Sequence, residues 1–580
     1  MKYSDLVEVY EELESTSKRL EKTRIIAKFL RTVKVGDLEQ VCLLLQGKVF
    51  QQYDEAKLGV AARLVLKALA TASGESVGVI EKKWKSLGDL GDVGKDILGK
   101  KKQATLFSAE LTVQKVFDNL TKLSGLVGSG TVGKKVGYVS ELLTSAKAAE
   151  AKYIVRIVLE ELRVGVADGT LRDAIVWAFF GKEIDVDLVG EVEIGNREEY
   201  VKYNTLVQEA FDVSNNWGAV AKIAKEKGAT GLARVSIKVF IPIKVMLGPK
   251  EEDAKSALER VGSPCQAEFK YDGFRIEVHK ESDKVELYTR RLEKVTKQFP
   301  EVVQYILDHV KGKSFILDCE AVGFDGKSGE YLPFQHISQR IRRKYDIEDL
   351  ARKLPVELNV FDILFFEGKN MIGEEFGERR KLLEKIVKPV KKKIRPAEGK
   401  IVKNEKEVSE LYANSLAAGN EGLMLKKLDA PYKPGARVGY MVKLKHAMET
   451  FDVVVVGAEW GEGKRAKWLS SFTIAVRKGE EFLGVGKVGT GIKEKAEEGL
   501  SFGDMTKLLR PLVVGEEGKT VVVKPKIVLE ISFEEIQKST NYDSGYALRF
   551  PRVVRLRDDK GVDEITSLKM VEGAFEGQRK

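Results

Sequence analysis

The strongest constraint on the fold is a change of hydrophobic period near residue 236 of the 580. Before it, apolar residues recur at helical spacing: Leu6, Val9, Tyr10 and Leu13, then Ile25, Phe29 and Leu30, then a long run from Ala148 to Phe180. After it, Val235–Val245 is rich in β-branched residues, with Pro242 marking an edge strand or a linker, and short β-branched or alternating stretches predict strands over Ser314–Glu320, Pro355–Phe366, Gly422–Lys426 and Tyr440–Lys445. Helical patterns over Val302–Val310, Phe376–Ile386 and Glu407–Ala418 interrupt them. Past Lys445 strands dominate: Phe451–Val456, Phe472–Val476, Phe482–Gly486 and Thr520–Ile531, with one helix over Glu494–Leu509. A chain this long exceeds one core. The pattern predicts a multidomain protein: an all-α domain at 1–236, an α+β domain with antiparallel sheets at 237–445, and an all-β domain at 446–580.

Five or so strands and a helix after residue 445 fit a barrel of the OB type, a common nucleic-acid platform. His446–Thr450 is the natural hinge before it. Charge agrees with such a partner, because +10 net and a pI near 9.0 favour a polyanion. The three cysteines, Cys42, Cys265 and Cys319, form no Cys-x-x-Cys pair, and the four histidines are scattered. That excludes a zinc module or a disulfide framework. A metal would have to be held by carboxylates, which suits Mg²⁺. No signal peptide and no membrane-spanning run is seen, so a cytoplasmic protein without a membrane partner is expected.

Two segments of the helical half suggest contacts. Gly128 to Lys135 nearly fits a triphosphate-binding loop, but Lys135 stands where a hydroxyl is needed, and Val116–Leu123 before it reads as helix instead of strand. Ser129, Gly130, Lys134 and Lys135 suit a DNA phosphate better. Gln103, Leu106 and Phe107, after three lysines, can plug into a hydrophobic pocket on a partner; Phe107 can equally fill the protein's own core.

Chemistry concentrates after residue 265. In Glu268-Phe-Lys270-Tyr-Asp-Gly-Phe-Arg275, Asp272-Gly273 reads as a tight hairpin turn between two strands, with Lys270 beside it. A lysine so held can be a nucleophile, and alone it can as well be a surface residue. Its company decides. Arg275 and Arg290 end or flank strands, Asp318 and Glu320 lie two apart on one face, Glu421 precedes a glycine, and Lys443 and Lys445 share a face. With Phe361 as a ring for a base, this is an inventory for holding a nucleoside triphosphate and Mg²⁺.

Taken in order, these segments resemble the ATP-dependent DNA ligases of the archaeal and eukaryotic replicative type, over essentially the whole chain. The motifs are Lys270-Tyr-Asp-Gly273, Thr289-Arg-Arg291, Leu317-Asp-Cys-Glu320, Val360-Phe-Asp362, Glu421-Gly-Leu-Met-Leu-Lys426, Val442-Lys-Leu-Lys445 and Arg557-Asp-Asp-Lys560. Glu150–Arg156 and Leu162–Val166 resemble the family's helical DNA-binding domain, which sets the chain apart from RNA ligases and capping-type nucleotidyltransferases, the alternative reading. Met441 stands where many relatives carry Trp.

The resemblance implies a central adenylation domain of the nucleotidyltransferase type and nick sealing in DNA replication, repair and recombination through a lysyl-AMP on Lys270. It implies ATP and Mg²⁺, or Mn²⁺ in its place, as cofactors. Glu268, Arg275, Arg290, Glu320, Phe361, Lys443, Lys445, Arg557 and Lys560 would bind ATP or AMP, and Glu320 and Glu421 the metal. Nicked double-stranded DNA and a sliding clamp, the latter through Gln103, Leu106 and Phe107, would be the partners of a monomer.

Overall fold

The computed structural model describes residues 1–100, 110–126, 130–190, 193–332, 334–341, 345–445, 450–461, 465 and 467–577. Gln103, Leu106, Phe107, Ser129 and four of the five expected hinge residues, 446–449, lie outside them. The chain forms two compact units that interleave in sequence. One comprises residues 1–249, 271–400 and 426–441, and the other 250–270, 401–425 and 442–580.

In the first unit, helices run from Tyr3–Ser15 to Trp217–Leu232 around one apolar core. The long apolar run divides into Ala148–Val158 and Asp168–Phe179. The charges of the Glu150–Arg156 segment turn inward. Glu14 accepts from Tyr153 Oη (2.8 Å), Lys152 Nζ and Arg156 Nη1, while Arg156 Nε reaches Asp89 at 3.3 Å. These charges therefore tie the first helix to the helices at Leu90–Gly99 and Ala148–Val158. Each partner offsets the cost of burying the other.

The central strands in chain order are β1 Lys250–Glu251, β2 Cys265–Lys270, β3 Phe274–Glu281, β4 Lys284–Thr289, β5 Ser314–Gly323, β6 Val356–Phe366, β7 Lys369–Asn370, β8 Ile394–Pro396, β9 Gly399–Val402, β10 Gly422–Lys427 and β11 Met441–Leu444. They build two sheets, one ordered β4-β3-β5-β6-β7 with β8 beside β6, the other β1-β11-β10-β2-β9. The expected hairpin at Asp272-Gly273 is therefore absent. β2 and β3 belong to different sheets, and the segment between them is a crossover. Gly273 is required there for another reason: a Cβ would come within 2.4 Å of the Ala321 carbonyl oxygen.

Val235–Val245, read as an edge strand or a linker, forms no strand. Two of its backbone N–H groups are taken by side chains of β3, Phe240 N–H donating to His279 Nδ1 (2.9 Å) and Ile243 N–H to Glu277 Oε1 (2.7 Å), and those of Val235 and Ile241 by the carbonyls of Leu232 and Lys238. With donors satisfied this way, the segment has no need of a strand partner.

The last region is β-rich, with β12 Phe451–Trp460, β13 Leu469–Lys478, β14 Glu481–Val488, β15 Val513–Glu517, β16 Thr520–Val523, β17 Val528–Ser532, β18 Glu535–Lys538, β19 Tyr546–Arg549 and β20 Arg552–Leu556. The large sheet runs β14-β13-β12-β16-β15, with β17 pairing both β12 and β20; β18 and β19 form a hairpin apart from it. Thr520–Ile531 is thus two strands instead of one. Pro525, lacking an N–H, falls in the break between them. The expected helix over Glu494–Leu509 is confined to Phe502–Leu509, because Ser501 and Asp504 form a capping box that starts it there. A closing helix at Leu568–Gly577, not expected from the sequence, packs Val571 and Phe575 into the β core.

Candidate active site

Lys270 ends β2 and Glu421 immediately precedes β10, its neighbour in the sheet. Glu421 N–H donates to the Lys270 carbonyl (2.8 Å), which fixes the two backbones side by side. Gly422 keeps the approach close: at φ +143° a Cβ there would lie 2.2 Å from the Leu444 carbonyl oxygen. The side chains then meet. Lys270 Nζ lies 2.5 Å from Glu421 Oε2, and Lys445 Nζ pairs with the same oxygen. Burial would push the Glu421 carboxyl up, but the two ammonium groups outweigh it and hold the carboxyl down at about 2. Lys443, two residues before Lys445, is half-buried on β11, and Glu268, two residues before Lys270, is buried on β2.

In the first unit, antiparallel register sets Arg275 opposite Glu320 and Glu277 opposite Asp318. The Arg275 guanidinium is buried: Nε donates to Asp318 Oδ1 and Nη2 to Glu277 Oε2, both at 2.5 Å. Nη1 has no hydrogen-bond partner among the described residues. Asp318 Oδ2 accepts from Tyr432 Oη (3.0 Å), whose oxygen accepts from Met246 N–H. Burial, outweighing Arg275, lifts the Asp318 carboxyl to about 6, with the Glu277 charge adding to it. Glu277 itself stays low; burial opposes its charge, and Arg275 and His279 overcome that. His279 Nδ1 is an acceptor, so Nε2, 2.8 Å from Glu277 Oε1, carries the proton and donates.

Phe361 is half-buried on β6, with Lys426 Nζ 4.9 Å from its ring centroid. Next to it, Asp362 accepts a bidentate pair from Arg379 (2.7 and 3.0 Å), and both residues are fully buried. Glu320 is half-buried on β5; Arg290 is exposed just after β4. Near the C-terminus, Arg557 and Lys560 both bind Asp452: Arg557 Nη1 at 2.9 and 3.0 Å, Lys560 Nζ at 2.7 Å. Gly130 caps the helix Thr131–Ser145 in a left-handed conformation (φ +81°). Lys134 is exposed on its first turn, whereas Lys135 donates to the carbonyls of Leu58 and Gly59.

Of the expected site residues, the structure brings Lys270, Glu421 and Lys445 into one cluster and Arg557 and Lys560 into another. Arg275, Arg290, Glu320 and Phe361 lie in the first unit, and the rest of the nucleotide set in the second. Among the described residues, no group of three or more His, Cys, Asp or Glu side chains could hold a metal ion. Participants absent from the sequence-based set include Asp452, Tyr432, Arg379, Glu277 and His279, and Lys426 entered it only as the end of a motif. The alternation Arg275-Ile-Glu277-Val-His279 does carry a signal, three polar groups on one face of a strand. Nothing local marks Asp452 or Tyr432, whose partners are over a hundred residues away.

Comparison with known proteins covers the same ground. The DNA ligase N terminus model matches residues 2–176, the ATP dependent DNA ligase domain residues 245–445, and the ATP dependent DNA ligase C terminal region residues 465–560. The chain is 44% identical to a DNA ligase of Nanoarchaeum equitans (strain Kin4-M), over 100% of this chain and 99% of that protein. It is 40% identical to the DNA ligase of Thermococcus fumicolans (98% of each) and 40% identical to that of Archaeoglobus fulgidus (100% and 99%). A solved chain described as Pmar-Lig_PreS3 shares the fold at a TM-score of 0.52 and 16% identity, over 95% of this chain and 99% of that one.

Proposed function

Since the chain belongs to the ATP-dependent DNA ligases of the archaeal type, we propose that it seals nicks in duplex DNA with Lys270 as the covalent carrier of AMP. The observation that carries this assignment is the Lys270–Glu421–Lys445 cluster, in which one carboxylate holds Lys270 and a second lysine at defined positions on either side of it. In the first step the Lys270 amine attacks the α-phosphorus of ATP. An N–P bond forms, the bond to pyrophosphate breaks, and the amine proton goes to solvent. Only the neutral amine attacks, so the ion pair with Glu421 parts as the phosphate arrives, and Lys443 and Lys445 meet the incoming charge. In the second step a 5′-phosphate oxygen takes AMP from Lys270, and in the third the 3′-hydroxyl displaces AMP and closes the backbone. Each step builds charge on an in-line phosphorus, and positioned cations offset it.

Glu268 reads the adenine amino group and Phe361 stacks on the ring. By family resemblance Arg275 is assigned to ribose or the nick phosphate, a role its buried guanidinium, held by Asp318 and Glu277, can fill only on release from them; Arg290 binds AMP or the 5′-phosphate. Arg557 and Lys560 act on the leaving pyrophosphate. Glu320 and Glu421, one in each unit, are the carboxylates that the family resemblance assigns to Mg²⁺, an ion that takes few protein ligands and would neutralise phosphate charge when bound. A helical domain at 1–236 and an OB domain after 446 hold the duplex through phosphate contacts, including Lys134, because a ligase must act on any sequence. The segment with Gln103, Leu106 and Phe107 docks a sliding clamp on the monomer.

The test is nick joining with defined substrates. Sealing of nicked DNA with ATP, falling steeply with salt, is expected. Joining confined to RNA nicks, or labelling by GTP in preference to ATP, would overturn the assignment.

A further inference from the structure

Asp452 is the second residue of β12, and its backbone is pinned: its N–H donates to Thr566 Oγ1 (3.1 Å) and its carbonyl accepts from Thr566 N–H (2.9 Å). Its carboxylate, mostly buried, is the shared acceptor for Arg557 and Lys560. The two cations are not held alike. Arg557 gives Nη1 to both Asp452 oxygens, and Nε and Nη2 to Asp559 at 2.8 Å each. All three of its nitrogens thus face carboxylates. Among the described residues Lys560 makes one contact, to Asp452, which leaves two further donors on its ammonium, at a side chain 30% exposed. A phosphate can therefore draw Lys560 toward itself at the loss of one ion pair, whereas engaging Arg557 would break a four-bond arrangement.

We propose that Asp452 is the positioning residue for the pyrophosphate-facing end of the site: its carboxylate braces Arg557 against β12 and presents Lys560 to the leaving group. This rests on the assignment of Lys560 to the leaving pyrophosphate. Without the Asp452 charge, Arg557 and Lys560 are like charges with no common counter-ion, and they separate. The contribution belongs to the transition state of the first step, so kcat of adenylylation falls while KM for ATP stays nearly constant. Sealing of DNA that already carries AMP does not use pyrophosphate and is spared.

The experiment compares full-length wild type, Asp452→Asn, Asp452→Glu and Lys560→Ala in single-turnover lysyl-AMP formation, in the reverse reaction with pyrophosphate, and in sealing of pre-adenylylated nicked DNA. Asp452→Asn should slow adenylylation and its reversal by about 10- to 100-fold, the range for groups that orient a ligand through a second residue. It should change sealing by less than about twofold, and Asp452→Glu should recover part of the loss. If Lys560→Ala is slow in adenylylation while Asp452→Asn is as fast as wild type, the positioning role is wrong and the Lys560 assignment stands. If Lys560→Ala is as fast as wild type, the assignment beneath it is wrong. Equal losses in all three assays for both Asp452 variants would make the residue merely structural and overturn the proposal.

Discussion

Replacing Glu421 by Gln removes the one carboxylate between two ammonium groups, and the structure sets the size of the effect. A carboxyl held at about 2 instead of 4.5 corresponds to about 3 kcal/mol of preference for the charged form, at about 1.4 kcal/mol per pH unit. The side chain is only 21% exposed, so solvent screening takes little from this. The sign follows from linkage. The folded-state value is depressed, so the contribution is fully present above pH 4.5 and is lost as pH falls toward 2. The readout must be local, because a chain of two units has no single unfolding free energy. Hydrogen exchange of the amides in β2 and β10 provides it. At pH 7, Glu421→Gln should exchange there about 100-fold faster than wild type, relative to an unaffected helix of the first unit. The gap should narrow as pH is lowered from 4.5 toward 2. Equal protection at pH 7, or a gap that persists at low pH, would refute the reasoning.

Asp362→Ala strands the buried Arg379 guanidinium and should cost about 3–5 kcal/mol of local stability, whereas the double change Asp362→Leu with Arg379→Met should recover most of it; hydrogen exchange of the amides in β6 and in the Phe376–Ile386 helix checks this. In DNA binding, Lys134→Ala should lower the slope of log affinity against log salt by about 1, as expected for one lost phosphate contact. Lys135→Ala should leave that slope nearly unchanged, since its ammonium is already committed to the carbonyls of Leu58 and Gly59; titrations across a salt series separate the two.

Much of this was legible in the residues. The helical period before residue 236 and the strands at Ser314–Gly323, Val356–Phe366 and Gly422–Lys427 follow from which positions must be buried. Partner choice does not follow. Cys265–Lys270 and Phe274–Glu281 look like two arms of a hairpin, since side-chain alternation is the same whichever strand lies alongside. Only tertiary pairing sends them to different sheets. Val235–Val245 has strand composition, yet Glu277 and His279 satisfy two of its donors, and that competition is invisible without knowing which side chains face it. The site shows the same division. Lys270, Glu421 and Lys445 were identifiable by type and order, while the carboxylate that gathers Arg557 and Lys560 was not, because Asp452 sits 105 and 108 residues before them. Charge in a sequence also does not say where it points. Lys152 and Arg156 hold helices together instead of facing a ligand.

The central claim is that Lys270 carries AMP between ATP and DNA. Its most direct test is mass spectrometry of the intact protein and of its peptides after incubation with ATP and Mg²⁺. The wild-type chain should gain one AMP on the peptide containing Lys270, the adduct should vanish on adding pyrophosphate or nicked DNA, and Lys270→Ala should gain nothing. An adduct on another residue, or nick sealing by Lys270→Ala at a rate near wild type, would contradict it.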